Sequence, residues 1–249
     1  MSIEKNHNFK ERIAKKMARA GLCSRREAER WIQDGRVTLN GVILDSPAVK
    51  VSTDDKILLD NIPIPASPPP RIWRFHKPKG CLVTQSDPKG RMTIFQILPK
   101  DLPRTISIGR LDYDSEGLLL LTNDGEIARK LELPSNGWLR RYRIRVHGYV
   151  DPNILKKLKD GIKISEFKTG SIEASLDIQK GSNAWITIGL REGKNREVRK
   201  VMDFVGYPVN RLIRLSYGPF QLGTLPKGEV SEIKKSVLFD QLGKFDETK

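Results

Sequence analysis

The chain has 249 residues, with 45 Lys and Arg against 30 Asp and Glu, a formal net charge of +15. That length accommodates two modest domains, or one large and one small, and that charge points to a polyanionic partner, nucleic acid before an acidic membrane surface. No apolar stretch approaches the roughly 20 residues that cross a bilayer, and Met1-Ser2-Ile3-Glu4-Lys5 has no signal-peptide core, so a cytoplasmic protein is expected. Cys23 and Cys81 stand far apart without metal-ligand spacing and are expected as free thiols. His7, His76 and His147 do not cluster, so no zinc site is expected.

Between Glu11 and Ala20 the residues Ile13, Met17 and Ala20 fall on one helical face, and Gly21 is placed to end the helix. Ser24-Arg25-Arg26-Glu27 is a capping box that opens a second helix burying Ala28, Trp31 and Ile32 and stopping at Gly35. Val37 and Leu39 alternate up to Asn40-Gly41, a hairpin signal, and Val42 to Leu44 return. Arg12, Lys16, Arg25, Arg26 and Arg36 accompany these elements. Two helices feeding a hairpin with this charge resemble the S4 RNA-binding domain over about residues 10 to 62. The resemblance implies that these five residues grip structured RNA; taken singly, each reads as a solvated surface charge. From Pro63 to Pro70, five prolines in eight residues predict a semi-rigid spacer that forms no sheet ladder. The expected organisation is residues 1–62 as RNA-binding domain, 63–71 as linker, 72–243 as a second domain and 244–249 as a frayed tail.

From Arg71 onward short strands alternate with helices, the pattern of an α+β domain with a largely antiparallel sheet. Phe75-His76-Lys77-Pro78-Lys79-Gly80 leads into a predicted strand, Cys81 to Thr84, and Asp87-Pro88-Lys89-Gly90-Arg91 is a turn-rich loop. Between Gly109 and Gly125 the polar half holds Arg110, Asp112 and Asp114, and Leu118 to Leu121 form an apolar run between glycine-containing turns. Such a run reads as a buried strand, although periodicity alone leaves a buried helix segment open. Charged groups are thus presented at the edge of a core element by stiff backbone. A short helix is predicted from Glu126 to Leu131, terminated by Pro134. Arg141 to Val146 alternates as a strand, with Tyr142, Ile144 and Val146 on one face and three arginines on the other. Ala184 to Leu190 is a further strand. Asn195 is then the expected N-cap of a helix whose core stripe is Val198, Val201, Met202 and Val205, stopped by Gly206. Val209 to Leu215 completes the strands, and Pro219 to Gly228 is a loop. The absence of a Gly-rich phosphate or dinucleotide loop predicts no cofactor.

Gly109-Arg110-Leu111-Asp112, followed by Gly117-Leu118-Leu119-Leu120-Leu121-Thr122-Asn123-Asp124-Gly125, resembles the signature of the RsuA/RluB family of ribosomal RNA pseudouridine synthases. The resemblance implies an α+β chain, with a small S4-like α/β RNA-binding domain before a synthase domain whose mixed, mainly antiparallel sheet is flanked by helices. It implies isomerisation of a specific uridine by a monomer with neither metal nor cofactor. It places the catalytic carboxylate at Asp112, an RNA-gripping residue at Arg110 and a tyrosine beside the target base at Tyr142. Arg199 takes the place of the basic residue that reaches the aspartate, and Lys77-Pro78 opens the domain near the cleft, with Lys77 serving the fold or facing phosphate. Ala18-Arg19-Ala20-Gly21 and the stretch Glu192 to Arg199 look most like the RluB branch, which implies large-subunit ribosomal RNA or a pre-ribosomal particle as partner. Without the resemblance, Asp112 and Asp114 are loop carboxylates that cap backbone or pair with arginines, or the carboxylate pair of a hydrolase. A non-catalytic ribosome-assembly factor and a small-subunit enzyme are the remaining alternatives.

Overall fold

The computed structural model describes residues 10–164 and 167–242; His7 and the expected tail at 244–249 lie outside them. The first unit runs β1 (Glu11–Arg12), α1 (Ile13–Arg19), α2 (Arg25–Gln33), β2 (Val37–Leu39), β3 (Val42–Ile43), β4 (Lys50–Val51), β5 (Ile57–Leu59) and β6 (Ile62–Pro63). Helix α1 begins two residues later than its periodicity suggests, because Glu11 and Arg12 pair antiparallel with Val51 and Lys50. The capping box forms as read: the Glu27 N–H donates to Ser24 Oγ at 3.1 Å and the Ser24 N–H to Glu27 Oε2 at 3.4 Å. Asn40 and Gly41 both take positive φ, +51° and +87°, the geometry that lets two residues join β2 to β3. A core of Ile13, Met17, Ala28, Ile32, Val37, Val51 and Ile57 closes this unit.

Pro63 departs from the expected spacer. It sits opposite Leu58 in β6, at the edge of the sheet ordered β3-β2-β5-β6, and an edge strand tolerates a residue that lacks an N–H. The far end of the proline stretch is tied down as well. Asn123 Nδ2 donates to the Pro69 carbonyl at 2.9 Å, the Arg71 N–H to Asn123 Oδ1 at 2.7 Å, and Thr122 Oγ1 to the Arg71 carbonyl at 2.8 Å.

The second unit contains β7 (Ile72–Lys77), α3 (Ile94–Ile97), β8 (Ile106–Ile108), β9 (Glu116–Thr122), α4 (Gly125–Glu132), β10 (Arg140–His147), α5 (Pro152–Lys157), β11 (Lys163–Ile164), β12 (Phe167–Lys168), β13 (Glu173–Lys180), β14 (Asn183–Leu190), α6 (Glu197–Phe204), β15 (Val209–Tyr217), β16 (Phe220–Gln221), β17 (Val230–Glu232) and α7 (Lys235–Leu242). Nine of its described strands form one sheet, ordered β13-β14-β10-β15-β9-β7-β17, with β16 on β15 and β8 on β9. Only β15 and β9 run parallel, so the sheet is mixed and mainly antiparallel as expected. The strand expected at Cys81 to Thr84 does not form. The strand precedes Pro78 instead, the chain turns at Gly80 with φ +83°, and Leu82 makes an isolated bridge to Thr93. The loop between Pro219 and Gly228 contains the short strand β16.

The leucine run owes its composition to position. Leu119 and Leu121 join the core beneath α6, and Leu118 and Leu120 join a second core with Ile127 and Leu131 of α4 and Leu238 of α7. A central strand covered on both faces carries no alternation. Its parallel neighbour approaches closely at Gly117, where φ is +106° and an added Cβ would lie 2.4 Å from the Arg214 carbonyl oxygen and 2.5 Å from its nitrogen. Gly117→Ala is therefore expected to cost about 2 kcal/mol or more, read as a lowered thermal midpoint. At Gly90, with φ +69° and open space around it, alanine is expected to cost only about 1 kcal/mol of backbone strain.

Candidate active site

Lys77 ends β7 with its side chain fully buried. Its ammonium donates to the carbonyls of Asp112 at 3.1 Å, Ser115 at 2.9 Å and Pro78 at 3.0 Å, and so fixes the loop between β8 and β9. Burial pulls the Lys77 ammonium below the usual lysine value, opposed by Cys81 and by the carboxylates of Asp112, Asp114 and Glu116. The Ser115 N–H donates back to the Asp112 carbonyl at 3.1 Å, closing a turn. The Asp112 carboxylate projects from that turn with 39% of its side chain exposed.

Facing this loop is the turn from Arg191 to Arg196. Helix α6 is capped by Arg196 rather than Asn195, with φ +49°, and the Lys194 N–H donates to Glu197 Oε2 at 2.9 Å. No side chain caps this helix as expected of Asn195; the Glu197 carboxylate instead closes the turn that leads into it. Arg196 reaches both loop carboxylates, Asp114 at 3.2 Å and Asp112 at 3.6 Å. Arg199, expected on Asp112, pairs with Asp114 at 3.1 Å and also donates to the carbonyls of Asp114 and Val209 at 3.1 and 2.8 Å. Its two terminal nitrogens are engaged there, its buried Nε has no hydrogen-bond partner, and the contact to Asp112 falls to Arg196. Burial raises the Asp114 carboxyl, but Arg196 and Arg199 outweigh it and hold Asp114 below the usual value. Asp112 and Asp114 therefore differ: Asp114 is committed to two arginines and Asp112 faces the opening.

Arg110, Asp112, Tyr142 and Arg199, all singled out from the sequence, line one cavity of about 470 Å³ together with Arg196 and Arg214. Arg214 is the residue that sequence reading missed. It is 3% exposed on the inward face of β15, between Leu212 and Ser216. An arginine at an inward period-two position was the available signal. Glu116, first residue of β9, was missed too: it accepts from Arg211 Nε at 2.6 Å and Lys227 Nζ at 2.8 Å. None of the five basic residues of the first unit lines that cavity. Arg12, Arg25 and Arg26 are exposed, Lys16 is half-buried and donates to the Ser52 carbonyl, and Arg36 donates to Asp60 at 3.0 Å.

The profile of the RNA pseudouridylate synthase family matches residues 71–204, and that of the S4 domain residues 11–57. The chain belongs to the RNA pseudouridylate synthase family. It is 43% identical over 228 residues to an uncharacterized RNA pseudouridine synthase of Rickettsia felis, covering 92% of this chain and 99% of that one. It is 40% identical over 230 residues to the ribosomal large subunit pseudouridine synthase B of Yersinia pestis, covering 90% and 72%. Among solved structures, a pseudouridylate synthase at 26% identity superposes with a TM-score of 0.63 over 92% of this chain and 98% of that one. The expected order, an S4 domain followed by a pseudouridine synthase fold, is thereby shown.

In this RNA pseudouridine synthase the ion pairs of Glu116 anchor the strand that follows the Asp112 loop. Burial raises the Glu116 carboxyl, but Arg211 and Lys227 overcome it and hold its pKa at about 2, against 4.5 for a free glutamate. A depressed carboxyl contributes stability above pH 4.5 that is lost as pH falls toward 2, here on the order of 2 kcal/mol. Urea unfolding from pH 7 to pH 2 is expected to show that loss, and Glu116→Gln to reduce it.

Proposed function

We propose that this enzyme isomerises a uridine of large-subunit ribosomal RNA, free or within an assembling particle, with Asp112 as the reacting carboxylate. The observation that carries the reading is the contrast within one loop. Asp112 opens to a basic cavity from a backbone held by Lys77, while the neighbouring Asp114 is neutralised by Arg196 and Arg199. The 40% identity to a ribosomal large subunit pseudouridine synthase B supports the choice of RNA.

The reaction breaks the bond between C1′ and N1, turns the base and joins C5 to C1′. A carboxylate at the sugar–base junction acts as nucleophile or as base, and nothing else of the protein need be consumed. The target base first leaves its stack, at a cost of a few kcal/mol. Tyr142, 9% exposed on the cavity wall, offers the extruded uracil a π-face. Arg110 is exposed two residues before Asp112 and suits the gap or the distorted backbone. Arg196 and Arg199 hold the loop by charge-assisted bonds. Residues 1–62 serve as the RNA-gripping domain through Arg12, Lys16, Arg25, Arg26 and Arg36, residues 63–71 as linker and 72–243 as the catalytic domain. The enzyme is further proposed to work as a monomer, in the cytoplasm where ribosomal RNA is made.

Asp112→Asn is expected to abolish pseudouridine formation while leaving RNA affinity within about threefold, since the change removes one charge from a rim rich in cations. Retained turnover would refute the assignment. Arg25→Ala with Arg26→Ala is expected to weaken RNA binding and to lower the slope of log affinity against log salt by about 2. Mapping pseudouridines in ribosomal RNA from cells without this protein identifies the target; loss at a small-subunit position instead would overturn the choice of RNA.

A further inference from the structure

Arg214 is a buried cation without an anion. Its Nε donates to the Leu118 carbonyl at 2.7 Å, and Nη1 grazes the Arg110 carbonyl at 3.5 Å. Nη2 is buried and has no hydrogen-bond partner. No carboxylate of the described residues pairs with it; the Tyr142 hydroxyl hydrogen-bonds the guanidinium, and the Tyr217 hydroxyl and the like-charged guanidinium of Arg140 lie close by. The Tyr217 ring lies 5.3 Å from its Cζ. Burial pulls the guanidinium below the usual arginine value, and the like charge of Arg140 adds to that. An unpaired charge inside a protein is costly, and a buried donor left open costs more. Yet Arg214 lines the same cavity as Asp112 and Tyr142. The missing partner is therefore one that arrives with the substrate.

Two groups of a nucleotide can meet it, a phosphate or a carbonyl oxygen of the base. Exposed cations suited to phosphate already stand at the rim, Arg110, Lys194 and Arg196. Arg214 lies deeper, 3% exposed, beside the tyrosine whose ring would face the base.

Building on the pseudouridine synthase reading above, we propose that Arg214 donates a hydrogen bond through Nη2 to a carbonyl oxygen of the extruded uracil and stabilises the negative charge that the base acquires as it leaves the ribose. When the C1′–N1 bond breaks, its electron pair passes to N1 and spreads over O2 and O4. A fixed donor in a dry site is strongest toward charge that develops there. The same pair then forms the C5–C1′ bond. C5 gives up a proton to solvent and N1 takes one up from solvent, so composition is unchanged and no oxidant or reductant enters.

The test is single-turnover modification at saturating RNA by Arg214→Gln and Arg214→Lys, with RNA affinity measured beside it. Arg214→Gln is expected to slow the wild-type rate about 10²- to 10³-fold, with affinity for uridine RNA within about threefold. Arg214→Lys, which keeps the charge but not the fork, is expected to fall between them. RNA carrying 5-fluorouridine at the target site supplies the decisive arm, because fluorine stabilises the departing base. The loss in C1′–N1 cleavage is expected to shrink to about tenfold there. Equal losses on the two RNAs overturn the proposal. So does full rate at saturation with weakened binding, which marks a phosphate contact. Should neither variant keep the wild-type near-ultraviolet dichroism, Arg214 serves the fold and the proposal falls. A wild-type protein that makes no pseudouridine sinks the underlying reading, whereas normal turnover by Arg214→Gln sinks only this inference.

Discussion

The buried ammonium of Lys77 and the three carbonyls around it set the terms for everything nearby. An ammonium taken out of water is costly unless its donors are filled, and carbonyls of a loop close to the core need donors as much. Each requirement meets the other only when the chain from Asp112 to Ser115 turns back over the end of β7. The order of the Asp112 loop and the burial of Lys77 are consequently one event. An arginine would not substitute, since its planar fork cannot point three donors at carbonyls converging on one atom. On the other flank Gly117 lets β15 run parallel to β9 at a distance no side chain permits, which brings Arg214 under the same loop.

Three acidic residues alternate at 112, 114 and 116, and the fold gives each a different fate. Glu116 is buried under Arg211 and Lys227, Asp114 is half-exposed between Arg196 and Arg199, and Asp112 touches Arg196 alone, at 3.6 Å. A fourth carboxyl, Glu197, lines the cavity with its pKa pushed up to about 7, by burial first and then by the neighbouring Glu192. Near neutral pH it carries only part of a charge. The cavity is thus lined by Arg110, Arg140, Lys194, Arg196, Arg199 and Arg214, with Asp112 among them.

What could be read beforehand follows a physical division. The capping box at Ser24, the Asn40-Gly41 hairpin, the strand of Leu118 to Leu121 and the stripe of α6 were legible because each depends on residues close in sequence. Asp112 and Arg110 came from the long ordered motif that carries the family resemblance, Tyr142 and Arg199 from matching places elsewhere in the chain, and the fold brings all four to one cavity. Local signals failed where distant chain decided. Glu11 and Arg12 fit a helix but met a free strand edge at Val51, and Cys81 to Thr84 fit a strand but found one bridge at Thr93. Which arginine reaches which aspartate was settled by the left-handed backbone of Arg196, a conformation with no compositional mark outside glycine and asparagine. Arg214 did break the alternation of β15, yet a lone charge in a basic chain draws no notice until its surroundings are seen.

Helix α4 joins the first unit to the loop that leads to Asp112. At its start Glu126 pairs with Lys15 of α1, and an added Cβ on Gly125 would lie 3.4 Å from Arg25 Nη2. At its end Glu132 accepts the Gly109 N–H at 2.6 Å, the first residue of the motif that leads to Asp112. Eight helical residues span about 12 Å, so the start of α2 and the mouth of the cavity are separated by a rigid strut rather than by the proline spacer alone. The spacer, bonded at Pro69 and Arg71 to the turn before α4, adds a second tie at the same end. The start of α2 and the backbone leading to Asp112 are therefore held at a separation set by secondary structure.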